Sequence, residues 1–204
     1  MTEPGSGKAV PEDGSAGVSR IALLGPPGAG KGTQASRLAG RLGVPHIATG
    51  DLLRQAAEAG TPRGLQARHS MDAGELVPDQ LVDELVRERI RRPDAEVGFV
   101  LDGVPRTLRQ GEMLDAALST LGRPIQRVVL LEVSPAQIVE RTARRGTITH
   151  RRDDRSEIVA NRLRVYHAES PPLTEYYRSR GLLVSIDGVG TVDQVARRIE
   201  EVLA

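Results

Sequence analysis

The stretch Ile21-Ala22-Leu23-Leu24-Gly25-Pro26-Pro27-Gly28-Ala29-Gly30-Lys31-Gly32-Thr33-Gln34-Ala35-Ser36-Arg37-Leu38-Ala39 decides the fold. Four apolar residues run into a glycine-rich turn, and the turn opens into a helical pattern. Glycines let the backbone bend sharply and aim successive N–H groups inward, where they cradle phosphate oxygens. The helix beyond adds the positive end of its dipole. Lys31 supplies a mobile ammonium for the β and γ phosphates of a nucleotide. Gly25-x4-Gly30-Lys31 matches the generic phosphate-loop pattern, but Gly32 stands where a Ser or Thr hydroxyl would meet magnesium, and Thr33 comes one residue late. The expectation is a Mg²⁺ that arrives with the nucleotide and is held more through water than by a direct hydroxyl bond. Gly5-Ser6-Gly7-Lys8 imitates part of this loop, but no strand precedes it, so it is set aside.

Outward from the loop, short apolar runs alternate with longer helical patterns. The expected strands are Arg20–Leu24, Pro45–Ala48, Gly98–Leu101, Gln126–Val133 and Leu182–Ile186, each apolar enough to be buried on both faces. Between them, Leu81, Val82, Leu85, Val86 and Ile90 mark one face of a helix over Pro78–Arg92, with Pro78 suited to its first turn. Thr107–Leu121, Pro135–Arg144, Asp154–Ala168 and Thr191–Leu203 read as helices of the same kind. Alternation of this sort implies an α/β fold with a five-stranded parallel sheet flanked by helices. Residues 1–19 carry too few apolar side chains to offset the entropy of ordering and read as a disordered tail, leaving residues 20–204 as one domain.

Composition narrows the function classes. The 204 residues include 28 basic and 27 acidic side chains, a net charge of +1, which gives no reason to expect nucleic acid as a partner. No cysteine is present, so disulfides and thiolate metal sites are excluded. No apolar run reaches the length of a membrane span, and the first residues lack the apolar core of a secretory signal, so a soluble, cytoplasmic protein is expected. Aromatic residues are only 2%, so the core must be built from Leu, Val, Ile and Ala.

Gly25–Gln34, taken with Thr49-Gly50-Asp51-Leu52-Leu53-Arg54 and Leu101-Asp102-Gly103-Val104-Pro105-Arg106, closely resembles the adenylate kinase family of nucleoside monophosphate kinases, from about Arg20 to the C-terminus. The resemblance implies a P-loop kinase core with two inserts, one over the monophosphate (residues 48–77) and a short lid over ATP (residues 145–152). It implies that Gly28, Ala29, Gly30, Lys31, Gly32 and Thr33 hold the ATP phosphates, and that Arg141 and Arg145 contact ATP at the lid entrance. Gly190, after Asp187-Gly188-Val189, would offer its carbonyl to the adenine. On the acceptor side it implies Thr49 and Arg54 at the monophosphate, and Glu75, Leu76 and Val77 along the AMP base. Gly103, Val104, Pro105 and Arg106 would also touch AMP, with Arg106 on its phosphate and Gln110 reading the adenine edge. Arg151 and Arg162 match the pair that bridges both nucleotides. The chain departs from the family pattern at Val104, where an aromatic residue is usual, and it lacks the cysteines of the zinc site some long-lid relatives carry, so no zinc is expected. A monomer is expected on the resemblance alone.

The chemistry suits these residue types. Phosphoryl transfer asks for positioning and charge neutralisation rather than covalent help. An acceptor phosphate oxygen is already anionic, so no general base is needed, and the four histidines (His46, His69, His150, His167) have no ligand-like spacing. Lys31, Arg54, Arg106, Arg145, Arg151 and Arg162 could hold two mutually repelling polyanions, arginine by bidentate contacts. Asp102 ends a buried strand where open α/β sheets bind ligands, and reads either as a water-mediated Mg²⁺ contact or as the cap of the following turn. Asp51 reads either as a site residue or as the N-cap of a helix over Leu52–Glu58.

A UMP/CMP-type or small-metabolite P-loop kinase, against which Thr49 and Gln110 together favour adenine, and a catalytically weakened nucleotide-binding paralogue remain open on sequence; a nucleotide switch does not. The last would need a guanine-reading N/TKxD segment, and none stands in a plausible place.

Overall fold

The computed structural model describes residues 17–149 and 156–204, with backbone alone for 143–149 and Ser156. Five strands, β1 (Arg20–Leu24), β2 (His46–Ala48), β3 (Phe99–Asp102), β4 (Arg127–Glu132) and β5 (Leu183–Asp187), form a parallel sheet in the order β2-β3-β1-β4-β5. Each lies within one residue of an expected run at either end.

Strand alternation splits the core in two. Ala22, Leu24, Leu101, Val128 and Leu130 face one layer, while Ile21, Leu23, Val100, Val129 and Leu131 face the other. The first layer is completed by α4 (Asp79–Ile90), α5 (Leu108–Thr120) and α7 (Ser156–Ser179), which contribute Val82, Val86, Leu114, Leu118, Leu173 and Tyr177. The second is completed by α1 (Lys31–Leu42) and α8 (Val192–Leu203), through Ala35, Leu38, Val195 and Ile199. Two further helices, α2 (Thr49–Glu58) and α3 (Pro62–Ala73), follow β2, and α6 (Pro135–Thr149) follows β4.

The register positions the site. Leu23 of β1 pairs with Asp102 of β3, which pairs with Ala48 of β2, so three strand ends lie in one row. The glycine loop after Leu24, the helix opening at Thr49 and the turn after Asp102 therefore leave the sheet side by side. Central β1 has β3 on one flank and β4 on the other, the switch point at which open sheets bind ligands.

Several elements differ from the sequence reading. Helix α7 runs through Pro171 and Pro172 to Ser179, whereas the reading stops at Ala168. Two proline rings remove backbone donors, but Leu173 and Tyr177 beyond them are 1% and 0% exposed, and their burial carries the helix past the break. Tyr176 and Tyr177 also donate to the two carboxylate oxygens of Asp115 on α5, at 3.0 and 3.3 Å. Burial pushes the Asp115 carboxyl above its ordinary range, only partly opposed by Arg180 and the Tyr177 hydroxyl. Asp51 does not cap α2: the helix starts at Thr49 with Ala48 at the cap, and Asp51 sits in the first turn paired with Arg54. Helix α6 continues to Thr149, through residues 145–149; residues 150–152 lie outside the described residues, as do 1–16 of the expected tail. Ser19, counted with that tail, donates its N–H to Gln126 Oε1 at 2.9 Å and accepts from Phe99 N at 2.8 Å.

Helix α3 was not foreseen, because its burial does not follow an apolar stripe. It buries Gly64, Ala67 and Ser70, small residues spaced by three, against α2. A Cβ on Gly64 would lie 1.9 Å from the Ala56 carbonyl oxygen, so the two helix backbones touch there. Gly64→Ala must push them apart, and the expected loss is roughly 1–3 kcal/mol of stability, as for overpacking elsewhere. Denaturant unfolding checks this: an unchanged midpoint would mean that α2 and α3 do not pack backbone to backbone.

Candidate active site

Helix α1 begins without a side-chain cap. Its N-cap is Gly30, in a left-handed conformation at φ 95°, and a glycine has no side chain with which to cap the first N–H groups. Those donors and the helix dipole face the glycine loop, the arrangement that binds phosphate. Gly28 is also left-handed, at φ 81°, and a Cβ there would sit 2.7 Å from Thr142 Oγ1, so only glycine fits under α6. Lys31 Nζ folds over its own loop and donates to the carbonyls of Gly25 and Pro26 at 2.7 and 2.8 Å.

Gly32 has a reason the sequence did not reveal. A Cβ at this position would lie 3.2 Å from Asp102 Oδ2. The helix start is thus brought against the end of β3, and a Ser or Thr at position 32 would crowd the carboxylate. Burial works against a charged Asp102, yet the imidazole of His46 and the charges of Lys31 and Arg106 outweigh it and hold the carboxyl below its ordinary range. The group is an anion at neutral pH, beside the loop and near Thr33, which lines the same cleft. An oxygen donor of this kind fits a hydrated Mg²⁺. Among the described residues no group of three or more His, Cys, Asp or Glu could hold a metal by itself.

The loop, the strand ends and α7 enclose a cleft of about 720 Å³. From the sequence-derived set it is lined by Gly28, Ala29, Gly30, Lys31, Gly32, Thr33, Thr49, Arg54, Glu75, Leu76, Val77, Asp102, Gly103, Arg106, Gln110, Arg141, Arg162 and Gly190. Two expected residues do not line this cleft: Val104 is 3% exposed and packs in the core, and Pro105, joined to it by a cis bond, lines a smaller adjoining cavity. Arg145 is described by its helical backbone alone, and Arg151 lies outside the described residues.

Much of the wall is held in place by hydrogen bonds. Arg141 bridges the glycine loop and the loop after β5, donating to the carbonyls of Ala29 at 3.3 Å and Gly188 at 3.0 Å. Arg198, absent from the sequence reading, donates to the carbonyl of Asp187 at 2.8 Å and also bonds that of Val189, bracing the loop that carries Gly190. Gln110 is 4% exposed; its Oε1 accepts from Arg106 N and its Nε2 donates to Asp79 Oδ1, both at 2.8 Å. Arg106 Nε donates to the carbonyl of Gly103 at 2.8 Å.

Three buried side-chain polar atoms lack a hydrogen-bond partner among the described residues, and beside Gln34 Oε1 two of them stand out. Thr49 Oγ1 is buried with no hydrogen-bond partner among the described residues, and so is His46 Nε2, 3.7 Å from Asp102 Oδ2. A buried hydroxyl left unsatisfied on a cleft wall is a place for a ligand atom. Nothing in the spacing of the sequence marks His46; the pairing of β2 with β3 brings it to Asp102.

A parallel sheet with a phosphate loop at its switch point, opening on a cleft walled by several arginines, defines a P-loop nucleotide phosphotransferase. Comparison with known proteins agrees and is more specific. The family model described as adenylate kinase matches residues 23–182. The chain is 47% identical to an adenylate kinase of Xylella fastidiosa over 88% of its own length and 96% of the relative's. It is 41% identical to one from Nitrosococcus oceani over 90% and 98%, and 45% identical to one from Thermobifida fusca over 88% and 95%. The chain belongs to the adenylate kinase family.

Proposed function

We propose that this cleft carries out the reversible transfer of the terminal phosphoryl group of ATP to AMP, giving two ADP. One observation carries the reading: the register row Leu23, Asp102 and Ala48 brings the phosphate loop and the start of the Thr49 helix to a single cleft, whose lining includes Lys31, Arg54, Arg106 and Arg162. The donor's phosphates would rest on the loop N–H groups of residues 28–33 and on Lys31. AMP would lie against Thr49, Arg54 and the Glu75–Val77 stretch, its phosphate on Arg106. Gln110 donates to Asp79 Oδ1 and accepts from Arg106 N, and these two bonds orient the amide before a base arrives, which supports its role at the adenine edge.

Lys31, Arg106 and Arg162, with Arg145 and Arg151 by resemblance, neutralise the charge of two polyanions brought face to face. This placement turns an encounter between repelling anions into a near-unimolecular step. No side chain has to abstract a proton, because the attacking oxygen belongs to the AMP phosphate. Asp102 and Thr33 would hold the water shell of a Mg²⁺ bound with ATP, which would supply further neutralisation of phosphate charge. No helix among the described residues is long and apolar enough to cross a membrane. A cleft built within one chain supports a monomer, and we place the enzyme in the cytoplasm.

A coupled ADP-formation assay with ATP, Mg²⁺ and a panel of AMP, UMP, CMP, GMP and dTMP tests this directly. AMP is expected to be the preferred acceptor. A preference for UMP would overturn the acceptor, and no ADP from any of the five would overturn the reaction.

A further inference from the structure

We infer that Asn161 and Arg164 of α7 form a polar strap that holds the acceptor-side insert against the core, which makes Asn161 a positioning residue for the reaction proposed above; the inference rests on that reading. Asn161 Nδ2 donates to the carbonyl of Ala73 at 2.9 Å, across 88 residues of chain. Ala73 is the last residue of α3, and its carbonyl is one that a helix end leaves without a partner inside the helix. The turn at Gly74 satisfies carbonyls further back, by bonds from Gly74 N to Met71 O at 3.1 Å and from Glu75 N to Ser70 O at 2.9 Å. Asn161 reaches the one at the tip.

The amide is itself oriented. Arg164 donates from Nε and Nη2 to Asn161 Oδ1, at 3.2 and 2.9 Å. With a cation on the oxygen side, the NH₂ side must turn toward Ala73. Packing at this joint is close as well: a Cβ on Gly74 would lie 2.8 Å from the carbonyl oxygen of Ile158 and 3.3 Å from Arg162 Cγ.

The position of the strap gives it its effect. Immediately after Gly74 come Glu75 to Val77, and immediately after Asn161 comes Arg162, all of which line the cleft. One hydrogen bond therefore ties the acceptor wall to the helix bearing a cation of the transfer site. Being exposed, it adds little to the stability of the whole chain. An insert that docks and undocks is more sensitive, because one net hydrogen bond moves such an equilibrium by about two- to tenfold. The apparent affinity for AMP follows the docked fraction.

Asn161→Ala and Asn161→Asp test this in the full-length enzyme. The aspartate keeps its contact with Arg164 but has no hydrogen to give Ala73, so its effect should equal or exceed that of alanine. The expected result is a KM for AMP raised about two- to tenfold with KM for ATP changed by less than about twofold. Because the chain contains no cysteine, Gln66→Cys on α3 and Ser179→Cys on α7 provide a clean pair for fluorophores. Without nucleotide, energy transfer between them should fall when Asn161 is replaced. Unchanged transfer would overturn the strap whether or not the protein proves to be an AMP kinase. Altered transfer with an unchanged KM for AMP, or KM values for AMP and ATP rising together, would overturn the positioning role.

Discussion

Lys31→Ala lowers kcat by on the order of 10²–10³, the scale seen when one group aimed at developing charge is removed from a preorganised site. Lys31 is the first residue of α1, directly after the left-handed Gly30, so its ammonium projects from the point where the loop N–H groups converge. It spans the loop through the carbonyls of Gly25 and Pro26, and its charge is among those that keep Asp102 ionised. Alanine is a good helix former, and Lys31 is only partly buried, so α1 and the sheet should persist. The coupled ADP assay reads the loss, and an unchanged circular dichroism spectrum and unfolding midpoint establish that the fold is intact. A kcat within about threefold of the original enzyme would remove Lys31 from the transfer step.

Arg106→Ala lowers kcat/KM for AMP by at least about 10², less than the roughly 10³–10⁵ that an arginine on the transferring phosphoryl group supplies, because Arg106 is assigned to the acceptor phosphate. Arg106 follows the turn at left-handed Gly103, φ 84°, where a Cβ would lie 3.3 Å from Arg106 Nη2 and 3.7 Å from Thr49 Cβ. The guanidinium therefore sits between the end of β3 and the start of α2, held by Gly103 O, while the backbone N–H of Arg106 donates to Gln110 Oε1. Lysine should not restore the activity, because a single ammonium cannot reproduce a planar two-pronged contact with phosphate. KM for ATP should change little. Equal losses for both nucleotides would place Arg106 away from the acceptor; a lysine variant of full activity would show that charge alone suffices.

Much of the fold was legible because parallel strands are short apolar runs and their helices carry a 3.6-residue stripe. What escaped has specific causes. Helix α3 packs through Gly64, Ala67 and Ser70, and small residues leave no hydrophobic periodicity to read. The prolines of α7 carry a local signal to stop, which the burial of Leu173 and Tyr177 overrides. Asp51 reads as a cap or as a site residue because Asp favours the cap position, whereas α2 starts at Thr49 and leaves Asp51 in its first turn. In the site, the glycine loop and the motif arginines announce themselves by spacing. His46, Arg198 and Asn161 do not, since each owes its place to a partner tens or more residues away or to a loop it braces.

The sequence by itself determined that a nucleotide's phosphates have a cradle here, because a strand, a glycine turn and a lysine-led helix are adjacent in the chain and need only local geometry. It also determined the family, through three motifs in order. Only the tertiary structure decided which groups meet across the cleft. The pairing of β3 with both β1 and β2 sets Asp102 against Gly32 and His46, and the docking of α3 on α7 sets Ala73 against Asn161. Contacts of that kind depend on sheet order and helix packing, which arise from burial summed over the whole core and leave no trace in the spacing of the residues that touch.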